Sequence, residues 1–307
     1  MASLKQDAAS NSLRGRFSNH NHRIKCLFAV PYDTVVRDLF CRCKVLTTKL
    51  PNQSSIITIM TKAAIKASRG LLRDFSELEH LQVSVKSNKS FVTSADVKAN
   101  KILIEELLRA RPEYSLVSEE QEEIVGSNRD FTWIVDSLDG TVNYMHGFPH
   151  WATSIALKKH KEVVAAVTYD PVKNEMFWAE KGCGAYVNDK KIRVSGRKPS
   201  SDLLVAVGSF DANVSQKNVP AMLNSLRRTG SCTLDMAYLA AGRIDILLNL
   251  HDHQTEWDSA AGMLLIREAG GILAAKDGSS TNNFADIAVM CNINLVEIAT
   301  DMCRRIY

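Results

Sequence analysis

From Thr61 to about Leu81 the chain places Ala64, Ile65, Ala67, Leu71, Leu72, Phe75 and Leu78 at near-helical intervals. That is the stripe of a helix packed on one side, with Gly70 lowering its propensity a little. The stretch "FVTSADVKANKILIEELLRARPE" reads as a short strand running into a helix. Ile102, Leu103, Leu107 and Leu108 form its buried stripe and Pro112 its end. "YSLVSEE" and "FTWIVD" then read as strands, closing on Glu119-Glu120 and on Asp136. From Trp151 to about Val194 strand follows strand, with Pro171-Asn174, Gly182-Gly184 and Asn188-Asp189 as turns. A meander of this kind predicts a largely antiparallel sheet. After about Gly196 the pattern alternates: strand "LLVAVGS", helices "VPAMLNSLRRTG" and "TLDMAYLAAG", strand "IDILLNL", helix "DSAAGMLLIREAGG", strand "ILAAKDG". That is α/β in character. The predicted organisation is an α+β part over 60–197 and an α/β part over 198–307, with the change near 195–200.

Residues 1–59 stand apart. They carry nine Lys/Arg against three Asp and no Glu, a net +6, which leaves −2 on the rest of a chain of net +4. An acid-poor, Arg- and Ser-containing segment reads as a leader with the flavour of a transit peptide, as a disordered upstream extension, or as an arm for a nucleic acid or a protein. Organellar targeting is one of the expectations it raises. It has no apolar stretch of the secretory kind. The mildly acidic body argues against nucleic acid as the partner of the main domain. No apolar run is long enough for a membrane span. Seven scattered cysteines, with Cys41-Cys43 as a lone CxC, supply neither a zinc set nor an even disulfide framework. A reduced cytoplasmic chain is the plain expectation.

The chemistry gathers where elements end. Asp96, Glu119/Glu120, Asp136/Asp139 and Asp258 all lie at predicted strand ends or helix starts, where α/β layers collect ligands. Each has an ordinary reading. Asp139-Gly140 can be a capped turn, Asp258 a helix N-cap, Glu119-Glu120 solvated charge, and Asp96 the cap of the following helix. Asp136 and Asp139 buried together would repel and protonate, unless divalent cations hold them ionised. An all-oxygen set suits Mg²⁺ or Mn²⁺ rather than zinc. Gly140 and Thr141 at the start of a helical turn could offer N–H groups to a phosphate.

Taken in order, these stretches resemble the inositol monophosphatases of the Mg²⁺-dependent, lithium-sensitive phosphatase superfamily. "WIVDSLDGTVNYMHGFP" is similar to that family's first signature, Asp-Pro-Ile/Leu-Asp-Gly-Thr-x-Asn-Phe. "WDSAAGMLLIREAGG" is similar to its second. "VTSADVKAN", "VSEEQ" and "AEKGCGAYVNDKKIRVS" resemble its other elements, so that the likeness runs from about Met60 to the C-terminus. The resemblance implies a layered αβαβα sandwich of the sugar-phosphatase type, with a largely antiparallel N-terminal sheet and a smaller C-terminal α/β sheet. It also implies two to three Mg²⁺ ions and a homodimer.

Carried over residue by residue, the resemblance gives Glu119, Asp136 and the Leu138 carbonyl to a first Mg²⁺. It gives Asp136, Asp139 and Asp258 to a second, and Glu119 to a third through water. Thr141, with Glu119 or Asp96, would orient the attacking water, and the N–H groups of Gly140 and Thr141 would hold the phosphate. Gly230, Ser231 and Cys232 would line the substrate wall, Cys232 as a packed thiol. The implied activity is hydrolysis of a small polyol or sugar phosphate, myo-inositol 1-phosphate foremost, without a phosphoenzyme. Fructose 1,6-bisphosphate, a nucleotide 3′-phosphate and histidinol phosphate are the alternatives. A regulatory member using the basic arm on RNA or protein is another. Three departures stand out. Ser137 replaces the usual Pro, Tyr144 replaces Phe, and Asn249 stands where a Glu commonly meets substrate hydroxyls, before a loop about two residues longer.

Overall fold

The computed structural model describes residues 53–78, 85–210, 225–250 and 255–306. The basic segment's first 52 residues, the first half of the helix expected over 219–230, and the lengthened loop at 251–254 lie outside them.

The first helix, α1 (Ser55–Leu78), begins six residues before the predicted Thr61. The Ser54 hydroxyl accepts the Ile57 amide at 3.2 Å and so caps it. Its buried stripe is Ile57, Met60, Ala64, Ala67, Leu71 and Phe75, spaced by three or four residues. The β-branched run Ile56-Ile57-Thr58-Ile59 masked this start, because such residues weaken a local helical reading. The second helix, α2 (Val85–Ala110), is continuous. The strand expected at "FVT" is absorbed into it, so Asp96 lies in mid-helix and caps nothing.

Eight strands follow: β1 (Tyr114–Ser118), β2 (Gln121–Ile124), β3 (Asn128–Asp139), β4 (Ala152–Lys159), β5 (Glu162–Asp170), β6 (Glu175–Glu180), β7 (Gly184–Val187) and β8 (Lys190–Ile192). They form one sheet in the order β2-β1-β3-β4-β5-β6-β7-β8, in which the described pairs are antiparallel except β1 with β3. The short helix α3 (Thr141–Met145) leads from β3 towards β4. A second sheet, in the order β10-β9-β11-β13-β12, contains β9 (Val205–Phe210), β10 (Leu226–Arg227), β11 (Ile246–Leu250), β12 (Ile272–Ala274) and β13 (Val289–Cys291). β10 occupies part of the tail of the stretch expected as helix. The helices α4 (Cys232–Ala240), α5 (Glu256–Glu268) and α6 (Val296–Ile306) complete the chain.

Strand alternation assigns each face to a layer. Trp133 and Val135 of β3 pack with α1 and α2, whereas Ile134 packs with α4 and α5. In the second sheet Ala206 and Leu247 face α4 and α5, while Val205, Val207, Ile246 and Leu248 face α6 through Ala299 and Met302. The result is the expected αβαβα layering. Two contacts fix the central layer. A Cβ on Gly262 of α5 would lie 2.5 Å from the Met236 Cβ of α4, so these helices meet at a glycine. The Glu268 carboxylate accepts the amides of Gly182 and Gly184 at 2.8 and 2.7 Å, pinning the β6–β7 turn to the end of α5.

Candidate active site

Asp136 and Asp139 are three residues apart, and in a regular strand that spacing points side chains to opposite faces. β3 does not end at Asp136, as its pattern suggests; it runs to Asp139 through a bulge. Asp136 pairs with Ser154 and Asp139 with Ala152, so Ser137 and Leu138 together face the single residue Thr153. One extra residue restores the parity. Both aspartates therefore join the face of Ile134 and Ala152, which looks towards α4 and α5. The Leu138 side chain joins the opposite core, and the Ser137 hydroxyl reaches Asp96 of α2 at 2.5 Å.

Asp258 reaches the same place from α5. The N-cap there is Thr255, which corrects the reading of Asp258 as the cap. Asp258 sits in the first turn, where a helix favours negative charge, and its Oδ2 accepts the Thr255 hydroxyl at 2.5 Å. Lys158 of β4 bonds both oxygens of Glu256 at 2.6 and 2.9 Å, docking this helix start on the large sheet. Asp136, Asp139 and Asp258 each bring an oxygen within 4.8 Å of the other two.

The trio is electrostatically crowded. Burial, then the charges of Asp139, Glu119, Asp258 and Asp96, push the Asp136 carboxyl well above its ordinary range. Its Oδ1 accepts the Leu138 amide at 2.9 Å, while its buried Oδ2 has no hydrogen-bond partner. Burial also raises Asp139, against the lowering effect of Ser231 and Thr233. Asp96 rises to about 7 through burial, offset by its bond from Ser137 and reinforced by Glu120. Glu119 also rises to about 7, through desolvation and then Asp258, Asp96, Glu120 and Asp139. A buried carboxylate oxygen without a donor, among four other acids, is a poor resting state for a folded chain. It is a good one for a hard divalent cation, which takes oxygen ligands and removes the repulsion. The residues present therefore fit a metal centre.

The remaining expected residues divide between site and scaffold. Glu119 and Glu120 form the turn after β1, both exposed, and Glu119 lies within the trio's field but outside its closest grouping. Thr141 is exposed and donates its hydroxyl to the Leu138 carbonyl at 3.1 Å, linking the expected water-orienting group to the expected carbonyl ligand. Gly140 has φ +89°, and a Cβ there would meet the His150 carbonyl at 3.0 Å, so the turn needs glycine. Gly230 has φ +86° and packs on Asn143. Ser231 donates to Asp139 Oδ2 at 2.5 Å. Cys232 is half-buried and packs on the core between the sheets, the packed thiol expected. Asn249 is buried and donates its amide to the Ile287 carbonyl at 2.9 Å, which ties β11 to the segment before β13.

Three side chains outside the expected site residues brace the turn and its aspartate. Thr233 donates both its amide and its hydroxyl to Asp139, at 2.9 and 2.6 Å; a hydroxyl in the first turn of a predicted helix was its only signal. Asn143 donates to the carbonyls of His150 and Thr229 at 2.7 and 2.8 Å, stapling the signature turn to the approach of α4. Tyr144, which stands where the family has Phe, donates its hydroxyl to the Leu71 carbonyl of α1 at 2.7 Å.

The model of the inositol monophosphatase family matches residues 52–302. An inositol-1-monophosphatase of Rhizobium meliloti is 40% identical over 261 residues, 82% of this chain and 97% of that one. A Nus factor SuhB of Xylella fastidiosa is 40% identical over 242 residues, 76% of this chain and 86% of that one. Among solved structures, the extragenic suppressor protein SuhB of Bartonella henselae superposes with a TM-score of 0.73 at 38% identity, covering 82% of this chain and all of that one.

Proposed function

This chain belongs to the inositol monophosphatase family, and we propose that it is a Mg²⁺-dependent phosphomonoesterase acting on a small polyol or sugar phosphate, myo-inositol 1-phosphate foremost. The observation that carries this reading is the trio Asp136, Asp139 and Asp258, with the buried Asp136 oxygen left without a donor. Asp136, Asp139 and Asp258 would hold the ions, with Glu119 and the Leu138 carbonyl completing the set. An ion held there would supply activation of a water and compensation of the charge on the attacking and leaving oxygens. Thr141, with Asp96 or Glu119, orients the water in line with the phosphorus. The Gly140 and Thr141 amides receive the phosphate oxygens, and Gly230, Ser231 and Cys232 line the wall beside them. No side chain becomes phosphorylated. Asn249 borders the substrate in place of an acid, which leaves room for substrates other than inositol phosphates. Lithium would inhibit by occupying the place of an ion at Asp136, Asp139 and Asp258. The enzyme works as a homodimer, and among the described residues no helix is long and apolar enough to cross a membrane.

A second reading comes from the relatives named Nus factor SuhB: a regulatory protein that uses the basic segment ahead of α1 as an arm on RNA or a protein machine. One experiment separates the two. Phosphate release is measured from myo-inositol 1-phosphate, fructose 1,6-bisphosphate, a nucleotide 3′-phosphate and histidinol phosphate, with Mg²⁺ or with EDTA, on the full chain and on a chain lacking residues 1–47. Mg²⁺-dependent turnover in both chains supports the enzyme. No turnover on any substrate, with RNA or protein binding lost in the shortened chain, supports the alternative.

A further inference from the structure

Ser137 is the residue in the signature turn that departs most from the resemblance, where proline is usual. The departure has a visible consequence. Ser137 is 2% exposed, and its hydroxyl donates to Asp96 Oδ1 at 2.5 Å across 41 residues of sequence. Its carbonyl accepts the Thr153 hydroxyl at 2.8 Å, and Thr153 in turn meets the Ser68 hydroxyl of α1 at 3.0 Å. Three elements thus converge on one bulge residue: α2 through Asp96, β4 through Thr153, and α1 through Thr153 and Ser68. Tyr144, seven residues on, makes a parallel attachment to the Leu71 carbonyl of α1.

We propose that Ser137 is a positioning residue for Asp96, holding one carboxylate oxygen through the bulge so that the other is presented to the attacking water. This rests on the phosphomonoesterase reading above. Proline stiffens a turn by fixing φ and offers no hydroxyl. Serine stiffens this one by a buried side-chain bond, and it adds a link that proline cannot make. A charge-assisted O–H···O bond of this length is strong and directional. The Asp96 carboxyl sits on α2, which approaches β3 from the face opposite to α4 and α5. The Ser118 hydroxyl holds Asn100, one turn on in α2, at 2.7 Å, but that bond fixes the helix and not the Asp96 carboxylate. A misplacement of about 1 Å in such a group costs on the order of a hundredfold in rate.

The test uses the full chain with Ser137→Ala, Ser137→Pro, Asp96→Ala and the double variant Ser137→Ala/Asp96→Ala. In the first assay, kcat and KM are read with Mg²⁺ on the best phosphomonoester. Ser137→Ala is expected to lower kcat about ten- to a hundredfold with KM changed less than about threefold, because the lost group acts on the water. Ser137→Pro is expected to be as slow, since it stiffens the turn without the bond. The double variant is expected to be no slower than Asp96→Ala, since both changes remove one interaction. Wild-type kcat in Ser137→Pro would overturn the proposal, showing that only turn stiffness matters. So would additive losses in the double variant. In the second assay, urea unfolding of the EDTA-treated proteins forms the same double-mutant cycle, and the two substitutions are expected to couple. Absence of coupling would also overturn the proposal. The unfolding cycle does not need turnover. If the wild type hydrolyses no phosphomonoester, the functional reading fails, while the Ser137–Asp96 link is still measured.

Discussion

Thr233 of α4 grips one oxygen of Asp139 twice, by its amide at 2.9 Å and its hydroxyl at 2.6 Å. Ser231 adds a third donor to that same Oδ2 at 2.5 Å. Three donors converge on one carboxylate oxygen, which fixes the plane of the group; under the proposed function Oδ1 is the oxygen a cation would take. Partners of this kind, one step removed from a metal, typically change its affinity by about 10- to 100-fold.

Thr233→Val keeps the shape and the amide bond and removes only the hydroxyl. Mg²⁺ or Mn²⁺ binding, measured by calorimetry, is expected to weaken about tenfold. Unfolding free energy without metal should move by only about 1 kcal/mol, the net worth of one hydrogen bond. Unchanged metal affinity would show that Ser231 and the amide suffice to hold Asp139.

Asp136→Asn and Asp258→Asn are expected to abolish turnover, by at least about 10²- to 10³-fold, as when a preorganised electrostatic group is removed from a catalytic site. The fold should survive. Asp136→Asn should not lower the melting temperature of metal-free protein, because it removes a buried charge crowded by Glu119, Asp139 and Asp258. What it should lose is the rise in melting temperature on adding Mg²⁺, which reports binding to the folded state. Full activity in either variant, or in excess EDTA, would contradict a metal mechanism.

The raised carboxyls also set a pH dependence. Asp96 and Glu119 titrate at about 7 in the folded chain, and Asp136 and Asp139 lie above their ordinary range. Unfolded carboxyls titrate near 4, at about 3.9 for Asp and 4.3 for Glu. Between about pH 4 and about pH 7 the folded state therefore holds more protons, and metal-free stability from these groups falls as pH rises through that window. Differential scanning calorimetry in EDTA should show this decline, shallower in Asp136→Asn. Mg²⁺ should restore most stability at the upper end, where the ligands are already ionised. If the pH slopes of wild type and Asp136→Asn coincide, the crowding is relieved in some other way.

Much of the fold was legible because burial leaves periodic traces. The apolar run Trp133-Ile134-Val135 read as a strand and the stripe through Leu71 and Phe75 as a helix face; which layer each side chain of the strand enters came only with the packing. Two kinds of feature were not legible. Helix α1 starts in Ile56–Ile59, where local propensity argues against the helix that packing on the sheet enforces. The bulge at Ser137–Leu138 has no signal of its own, since it is defined by pairing with β4. The site residues Asp136, Asp139 and Asp258 were legible as types and spacing, but their shared face depends on that bulge. Asn143 stood in the quoted signature but its task did not show, and Thr233 was only a polar residue near a helix start, because their partners are distant in sequence.

Gly262 connects this site to the packing of the central layer. A Cβ at this position would lie 2.5 Å from the Met236 Cβ and 2.6 Å from its sulfur. The sulfur end of methionine can swing away, but the Cβ moves only with the backbone of α4. Gly262→Ala would gain helix propensity of about 1 kcal/mol if the site were open. Here overpacking of about 1–3 kcal/mol outweighs that gain, so the variant should be less stable than wild type in urea. The displacement carries a functional signature as well. α4 holds Asp139 through Ser231 and Thr233, and α5 carries Asp258 four residues before Gly262. Pushing the two helices apart separates the oxygens that now lie within 4.8 Å. Mg²⁺ affinity is thus expected to fall together with stability, although residue 262 belongs to no ligand. Gly70→Ala is the control: it lies in α1 with nothing within 4 Å of its Cβ, and it should stabilise the chain without changing metal binding. If Gly262→Ala loses stability while its metal affinity stays at the wild-type value, the spacing of α4 and α5 does not set the geometry of the acid trio.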